Sequence, residues 1–369
     1  MPSPTSALAH AMPALAERLP SVALGEWPTP VQRAPRLGRH LGVDLWIKRD
    51  DLSALRYGGN KVRKLELLLA AAETAKARRL LTLGGIGSNH IVATALHGRE
   101  RGFACTAIVV RQPLTPDVRK NLAAIHALGV ELCPCKGRER VPLALLSARH
   151  RLEGSYLIEA GGSSPLGTVG YTVAAFELAE QVRRGELPPP DEIIVPLGSG
   201  GTVAGLVLGL GMAGLRTRVV AVRVVDRLLC NHALTLLLMA RTATLLRQLH
   251  QPLHPPAALA VEHRFAGRHY GDPTSQARQA CQIAMELEGL DLETCYGGKA
   301  MAALLKRYGP RSSLLAGAHS APATSGRNRL RRVLFWHTYA GHQASELIET
   351  TNLSPLPQLV TQWLSRPDA

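Results

Sequence analysis

Residues 80–90 read Leu80-Leu81-Thr82-Leu83-Gly84-Gly85-Ile86-Gly87-Ser88-Asn89-His90: a short apolar run, a glycine turn, then polar residues that open a helix. The run has the length of a buried strand and stops on its glycine pair. The helix expected after it spans about Asn89 to Arg101. A second apolar run, Thr106-Ala107-Ile108-Val109-Val110, follows as a strand, then a helix from Val118 to Leu128 and a strand at Val130-Glu131-Leu132. Strand and helix alternating at this spacing mean an α/β protein with a parallel sheet.

The pattern extends both ways. Upstream, Asp44 to Lys48 reads as a strand. From Val62 to Arg78, Leu65, Leu68, Leu69, Ala72 and Ala75 recur at helical spacing. Residues 1–40 read as an irregular arm ending in a polar helix, interrupted by Trp27-Pro28-Thr29-Pro30. Downstream, Tyr171 to Arg183 is helical, and Glu192 to Leu197 is a strand that enters a glycine turn. Thr202 to Met212 is a helix, Val219 to Val224 a strand, and a last buried strand starts at Val333. Residues 226–260 and 312–330 read as insertions.

A chain of 369 residues has room for about two domains. Its 46% hydrophobic and 19% charged residues are ordinary for a globular protein. The formal charge of +15 rests mostly on arginine. No basic block is interleaved with aromatics as a single-strand binder needs, so nucleic acid is not the expected partner. The positive potential instead favours small anions. The six scattered cysteines fit a reducing compartment. The N-terminus lacks a basic leader region, and the apolar run 203–215 is too short to span a bilayer. A cytoplasmic protein without a membrane partner is expected. His337 and His342 have no third ligand at useful spacing, so no metal site is expected.

Five clusters carry chemistry. Gly58-Gly59-Asn60 delivers Lys61 to the start of an apolar helix. A lysine held against packed backbone sheds its proton more easily and becomes an amine nucleophile, the chemistry of a Schiff-base lysine. Lys64 shares its helix face, so two close ammonium groups call for an anion between them; otherwise the two form a surface basic pair. The turn Gly198-Ser199-Gly200-Gly201-Thr202, between strand and helix, suits a phosphate. It lacks the nucleotide-loop lysine and the dinucleotide fingerprint, so a monophosphate fits best. The turn before Asn89 and His90 suits a carboxylate, with Ser88 either at that anion or capping the helix. Tyr270 and Tyr296 either stack on a planar ligand and relay protons or lie in the core. Thr338 follows the late strand, where α/β sheets place ligands.

Taken together, the segments KRDDL (48–52), GGNKVRKLE (58–66), GGIGSNH (84–90), GGSSPLGTVGY (161–171), GSGGTVAGL (198–206), YGDP (270–273), CYGGKAMAALL (295–305) and LFWHT (334–338) resemble the pyridoxal-phosphate enzymes that include D-cysteine desulfhydrase and 1-aminocyclopropane-1-carboxylate (ACC) deaminase. The resemblance implies the tryptophan-synthase β-subunit-like fold (fold type II): two open parallel-sheet α/β domains with the cofactor between them. Residues 1–62 and 171–369 would form the large cofactor-binding domain, and 63–170 a small domain inserted in it. Lys61 would carry the cofactor, and Lys64 with Gly198, Ser199, Gly200, Gly201 and Thr202 would hold its phosphate. Asn89 would meet the ring oxygen, Tyr296 the ring face and Thr338 the pyridine nitrogen. Ser88, Asn89 and His90 would take the substrate carboxylate, with Ser88 and Tyr270 near the reacting carbons. A homodimer is the family expectation.

The sequence departs from that family at several points. Gly297 stands where ACC deaminases have glutamate and desulfhydrases threonine, and His90 matches the desulfhydrases. Gly87 replaces a glutamine, and HTYAGH (337–342) replaces HTGG. With no carboxylate at 297 and a neutral Thr338, the ring would be a weaker electron sink. That implies α,β-elimination from a small D-amino acid, D-cysteine giving pyruvate, ammonia and sulfide, ahead of ACC deamination to 2-oxobutyrate. A rival from another class is a non-catalytic cofactor- or nucleic-acid-binding protein.

Overall fold

The computed structural model describes residues 5–227, 230–309, 329–339 and 356–365. Residues 312–328 of the second expected insertion, and Ala340 to His342 of the HTYAGH segment, lie outside the described residues.

Among the described residues ten strands form two sheets. In chain order they are β1 (Val31–Arg33), β2 (Asp44–Arg49), β3 (Arg79–Gly85), β4 (Ala104–Val110), β5 (Glu131–Cys135), β6 (Ser155–Ile158), β7 (Glu192–Leu197), β8 (Arg218–Arg223), β9 (Leu259–Glu262) and β10 (Arg332–His337). The larger sheet has the order β1-β2-β10-β7-β8-β9, and the smaller β5-β4-β3-β6. Every pairing is parallel except β1 with β2.

Period-two alternation explains why both faces of the large sheet are covered. Ile193, Val195, Val219, Ala221, Leu334 and Trp336 point to one face, against the helices Pro165–Arg183 and Gly201–Met212. Ile194, Val220, Val222, Val333 and Phe335 point to the other, against Pro35–Leu41, Ser275–Glu288 and Gly297–Tyr308. This is the doubly wound arrangement in which ligands bind beyond the carboxyl ends of strands.

The helix that starts at the key lysine, Lys61–Thr74, packs on Pro165–Arg183. Contact is close because Gly170 has no side chain: a Cβ there would lie 2.3 Å from the Arg63 carbonyl oxygen. The sequence-based domain bounds at 62/63 and 170/171 fall inside these two helices. A buried polar network anchors the same joint. Asp50 accepts hydrogen bonds from Arg63 (2.8 Å), Thr29 (2.8 Å), Tyr171 (2.6 Å) and Trp336 (2.7 Å). Glu177 accepts from Lys48 (2.6 Å) and Arg63 (2.8 Å). Two cations and two carboxylates balance, which is how full burial is tolerated. The arm is more ordered than the sequence suggested: it carries helices Ala7–Ala11 and Pro13–Ala16. The buried Glu66 carboxylate accepts N–H groups from Ala7 (2.7 Å), Leu24 (3.1 Å), Gly25 (3.3 Å) and Trp27 (2.9 Å), which pins the arm to the lysine helix.

Residues 226–260 are not a loose insertion. They hold a helix, His232–Gln248, capped by the Asn231 side chain, and the first half of the edge strand β9. The helix buries Ala243 and Leu246 against Leu8, Val169 and Leu208, contacts too distant in sequence to be read from local pattern.

Candidate active site

The carboxyl ends of β3, β7 and β10, with the start of helix Lys61–Thr74, enclose a cavity of about 340 Å³. That is within the usual range of about 300–1,000 Å³ for small-molecule sites. Lys61, Ser88, Asn89, His90, Gly198, Ser199, Gly200, Thr202, Tyr270, Tyr296 and Thr338 line it. Of the residues singled out in the sequence, Lys64 and Gly201 stand just behind the wall.

Lys61 Nζ donates to Asn60 Oδ1 at 2.8 Å. Burial lowers its pKa to about 8. Burial, and then the charge of Lys61, hold Lys64 well below its ordinary value. Neither ammonium has a carboxylate partner among the described residues. Lys64 Nζ donates instead to the Gly161 carbonyl oxygen (3.0 Å) and Ser163 Oγ (3.1 Å). Ser163 in turn accepts the Gly201 N–H (3.2 Å) and bonds Ser199 Oγ (2.7 Å). Two glycines make this approach feasible. A Cβ on Gly201 would lie 2.8 Å from Lys64 Nζ, and one on Gly198 would lie 2.9 Å from Cε1 of Tyr296. Thr202 Oγ1 accepts from Asn60 Nδ2 (3.1 Å), which ties the turn to the residue before the lysine.

At the opposite wall, helix Asn89–Glu100 begins after Ser88. The Ser88 side chain makes no cap hydrogen bond, which removes helix capping as its role. Asn89 Oδ1 accepts from Tyr57 (2.9 Å) and Asn121 (2.6 Å), which leaves its NH₂ as the group available to the cavity. The His90 ring is turned inward: Nε2 bonds Thr82 (3.0 Å) and Nδ1 bonds Thr94 (3.4 Å). Burial and the two lysine charges keep it neutral. What His90 offers an anion is thus its backbone N–H at a helix start, not its ring. Gly87 has a packing reason: a Cβ there would lie 2.6 Å from the Val118 carbonyl oxygen.

The phenols of Tyr270 and Tyr296 bond each other at 2.7 Å, with rings edge to face. Burial raises both pKa values, so both stay protonated at neutral pH. Thr338 sits just beyond β10, and its carbonyl oxygen accepts the Asn60 N–H (3.1 Å).

Some residues here escaped the sequence reading. Tyr57 and Asn121 carry no motif of their own, and Ser163 lies in the GGSSPLGTVGY segment without a role read for it; all three act through partners 32 or more residues away. Glu293 places a carboxylate in the cavity wall, its Oε1 3.7 Å from where a Cβ on Gly297 would lie. That carboxylate accepts the N–H groups of Tyr296 (2.9 Å) and Gly297 (2.7 Å), and burial raises its pKa. Three residues ahead of Tyr296, its one sequence signal was a capping acid. Among the described residues no group of three or more His, Cys, Asp or Glu side chains could hold a metal ion. No described helix is long and apolar enough to cross a membrane.

The site fits a phosphorylated cofactor. Two lysine side chains, Lys64 buried and Lys61 half-buried, have no carboxylate partner among the described residues and face a glycine turn at a helix start, with the Asn89 amide in the same cavity wall. Comparison with known proteins agrees. The chain is 34% identical over 309 residues to a nocardicin C-9' epimerase from Nocardia uniformis subsp. tsuyamanensis, which covers 82% of this chain and 88% of that one. It is 33% identical to a D-cysteine desulfhydrase from Klebsiella pneumoniae, at 78% and 88% coverage. A crystal structure of an ACC deaminase homologue superposes with a TM-score of 0.73 at 28% identity, covering 90% of this chain and 98% of that one. Serine racemase from Dictyostelium discoideum, at 17% identity and a TM-score of 0.56, shares the fold. The profile of the pyridoxal-phosphate dependent enzymes matches residues 22–315, and the chain belongs to that family, with its fold and its cofactor.

Proposed function

We propose that this protein is a pyridoxal-phosphate-dependent lyase that eliminates the β-substituent of a small D-amino acid, converting D-cysteine and water to pyruvate, ammonia and hydrogen sulfide. The observation that carries the reading is the pairing of Lys61, with a pKa near 8, and the Lys64–Ser163–Gly201 cradle that asks for an anion. At pH 7 about a tenth of Lys61 is free amine on that value, against almost none for an ordinary lysine. When bound, the cofactor supplies the electron sink that makes the α-proton acidic.

The chain's own groups divide the remaining work. Lys64, Ser163, Ser199 and the N–H groups of the turn hold the phosphate. The Asn89 amide orients the ring. The N–H groups that open helix Asn89–Glu100 take the substrate carboxylate. Lys61 moves the α-proton, with the uncapped Ser88 hydroxyl beside it, and the protonated Tyr270–Tyr296 pair donates to the departing thiolate. We assign residues 1–62 and 171–369 to the cofactor-binding domain and 63–170 to the inserted one, and the assembly to a cytoplasmic homodimer.

ACC deamination is the second reading, favoured by the structural likeness to an ACC deaminase homologue and by the Glu293 carboxylate beside Gly297. Titration of the holoprotein with D- and L-amino acids, followed by absorbance and by assay of keto acids, decides. The proposal expects a spectral change and pyruvate with D-cysteine. Release of 2-oxobutyrate from ACC selects the second reading. Salt-sensitive DNA binding without turnover of any amino acid would overturn both.

A further inference from the structure

The cavity around Lys61 does not end at its phenols. Tyr270 and Arg138 line it, and they also line a wider outer hollow of about 1010 Å³. The hollow lies between residues 111–117, which follow β4, and residues 269–278, which lead into helix Ser275–Glu288. Three guanidinium groups front it: Arg111, Arg138 and Arg278. None of the three forms an ion pair among the described residues. Arg138 lies 5.7 Å from the Tyr270 ring centroid, and Arg278 donates to the Pro273 carbonyl oxygen. Two carboxylates share the wall with the three guanidinium groups, which leaves it net positive. Asp117 accepts the Tyr339 hydroxyl at 3.3 Å, and Asp272 accepts the His269 N–H at 2.6 Å.

Arg138 and Tyr270 form the wall common to the two spaces. Gln112 packs onto Gly85 beside them: a Cβ there would lie 1.7 Å from Gln112 Oε1 and 3.0 Å from Cε1 of Tyr270. Gln112 is 5% exposed, and its Oε1 has no hydrogen-bond partner.

We propose that the β-leaving group this enzyme takes best carries an anion of its own, and that Arg138, with Arg111, holds that anion in the outer hollow. The inference rests on the elimination reading and narrows its substrate class to anionic S-conjugates of cysteine. The step balances: R–S–CH₂–CH(NH₃⁺)–COO⁻ and water give R–SH, pyruvate and ammonium. The C–S bond breaks, the sulfur leaves with the bonding pair and gains a proton, and water releases the nitrogen. The group R keeps its negative charge throughout.

Two isosteric probes test this, S-carboxymethyl-D-cysteine and its neutral amide S-carbamoylmethyl-D-cysteine. A charge-assisted contact to a guanidinium is worth about tenfold in affinity. The wild-type holoenzyme is expected to prefer the carboxylate at least about tenfold in kcat/KM, through KM. Arg138→Gln combined with Arg111→Gln is expected to bring the ratio to about one. Reading a ratio within one variant removes any general loss of activity. A wild-type ratio near one, or a preference that survives both substitutions, would overturn the inference. If neither probe nor D-cysteine yields pyruvate, the elimination reading fails separately. The spectral titration of bound cofactor then still reports both affinities, and equal values would sink the anion site as well.

Discussion

Replacing Gly201 with alanine is expected to weaken cofactor binding while leaving the fold intact. The added Cβ would lie 2.6 Å from Ser163 Oγ and 2.8 Å from Lys64 Nζ. Both atoms end flexible side chains, so both swing aside rather than push the backbone. The Lys64–Ser163 bond (3.1 Å) and the Gly201–Ser163 bond (3.2 Å) are then lost. A hydrogen bond to a charged group contributes about 1.5–3 kcal/mol, so affinity falls about 10- to 100-fold. The helix gains in the same change. Gly201 opens Gly201–Met212 without a positive φ, and alanine is favoured over glycine in helices by up to about 1 kcal/mol. Cofactor titration of the apoprotein by absorbance gives the first quantity, and apoprotein melting gives the second, expected within about 3 °C of wild type. Affinity within twofold of wild type would refute the cradle. Affinity and melting temperature falling together would show that Gly201 serves the fold instead.

Three further outcomes follow from the same geometry. Asp50→Asn leaves Lys48 and Arg63 facing Glu177 alone in a buried network, and is expected to cost about 3–5 kcal/mol in denaturant unfolding; a loss below about 1 kcal/mol would mean that the network is not charge-balanced. Burial lowers Lys61 from 10.5 to about 8, so between those values the amine form is favoured in the folded state and not in the unfolded chain. Cofactor attachment to the apoprotein should therefore speed up with rising pH and level off above about 8, and a midpoint near 10.5 would contradict the burial argument. Tyr270→Phe removes one phenol of the 2.7 Å pair and is expected to lower kcat about 100-fold with little change in cofactor affinity; unchanged kcat would remove the pair from proton transfer.

The parts of this fold that could be read in advance are those whose cause is local. β3, β4, β7 and β8 are short apolar runs stopped by glycine or a loop, and the helices between them repeat at helical spacing. Helix Pro165–Arg183 begins six residues ahead of Tyr171, because Ser164 caps it by accepting the Gly167 N–H (3.1 Å). β6 was missed because four residues pairing with β3 leave almost no periodic signal. Helix His232–Gln248 lies in a stretch that reads as an insertion, since its register becomes legible only against Leu8 and Leu208. The site follows the same rule. Lys61, Lys64, the 198–202 turn and the Ser88–His90 segment stand out because each is a dense local cluster. Ser163 completes the cradle from 99 residues beyond Lys64, and Asn121 fixes the Asn89 amide from 32 residues away. Inward rotation of the His90 ring, and the loss of a capping role for Ser88, are matters of side-chain direction that spacing does not encode.

The central claim is that Lys61, and not another buried lysine, carries the cofactor. Borohydride reduction of the holoprotein, followed by proteolysis and mass spectrometry of the labelled peptide, tests it directly. Lys48, Lys64 and Lys299 are more deeply buried than Lys61, but Lys48 pairs with Glu177, Lys64 is committed to Gly161 and Ser163, and Lys299 donates to the Ala266 carbonyl oxygen at 2.6 Å. The label is expected on Lys61, and is expected to be absent from a Lys61→Ala variant that still melts cooperatively. A label on Lys64 or Lys299, or a holoprotein that reduction leaves unmodified, would contradict it.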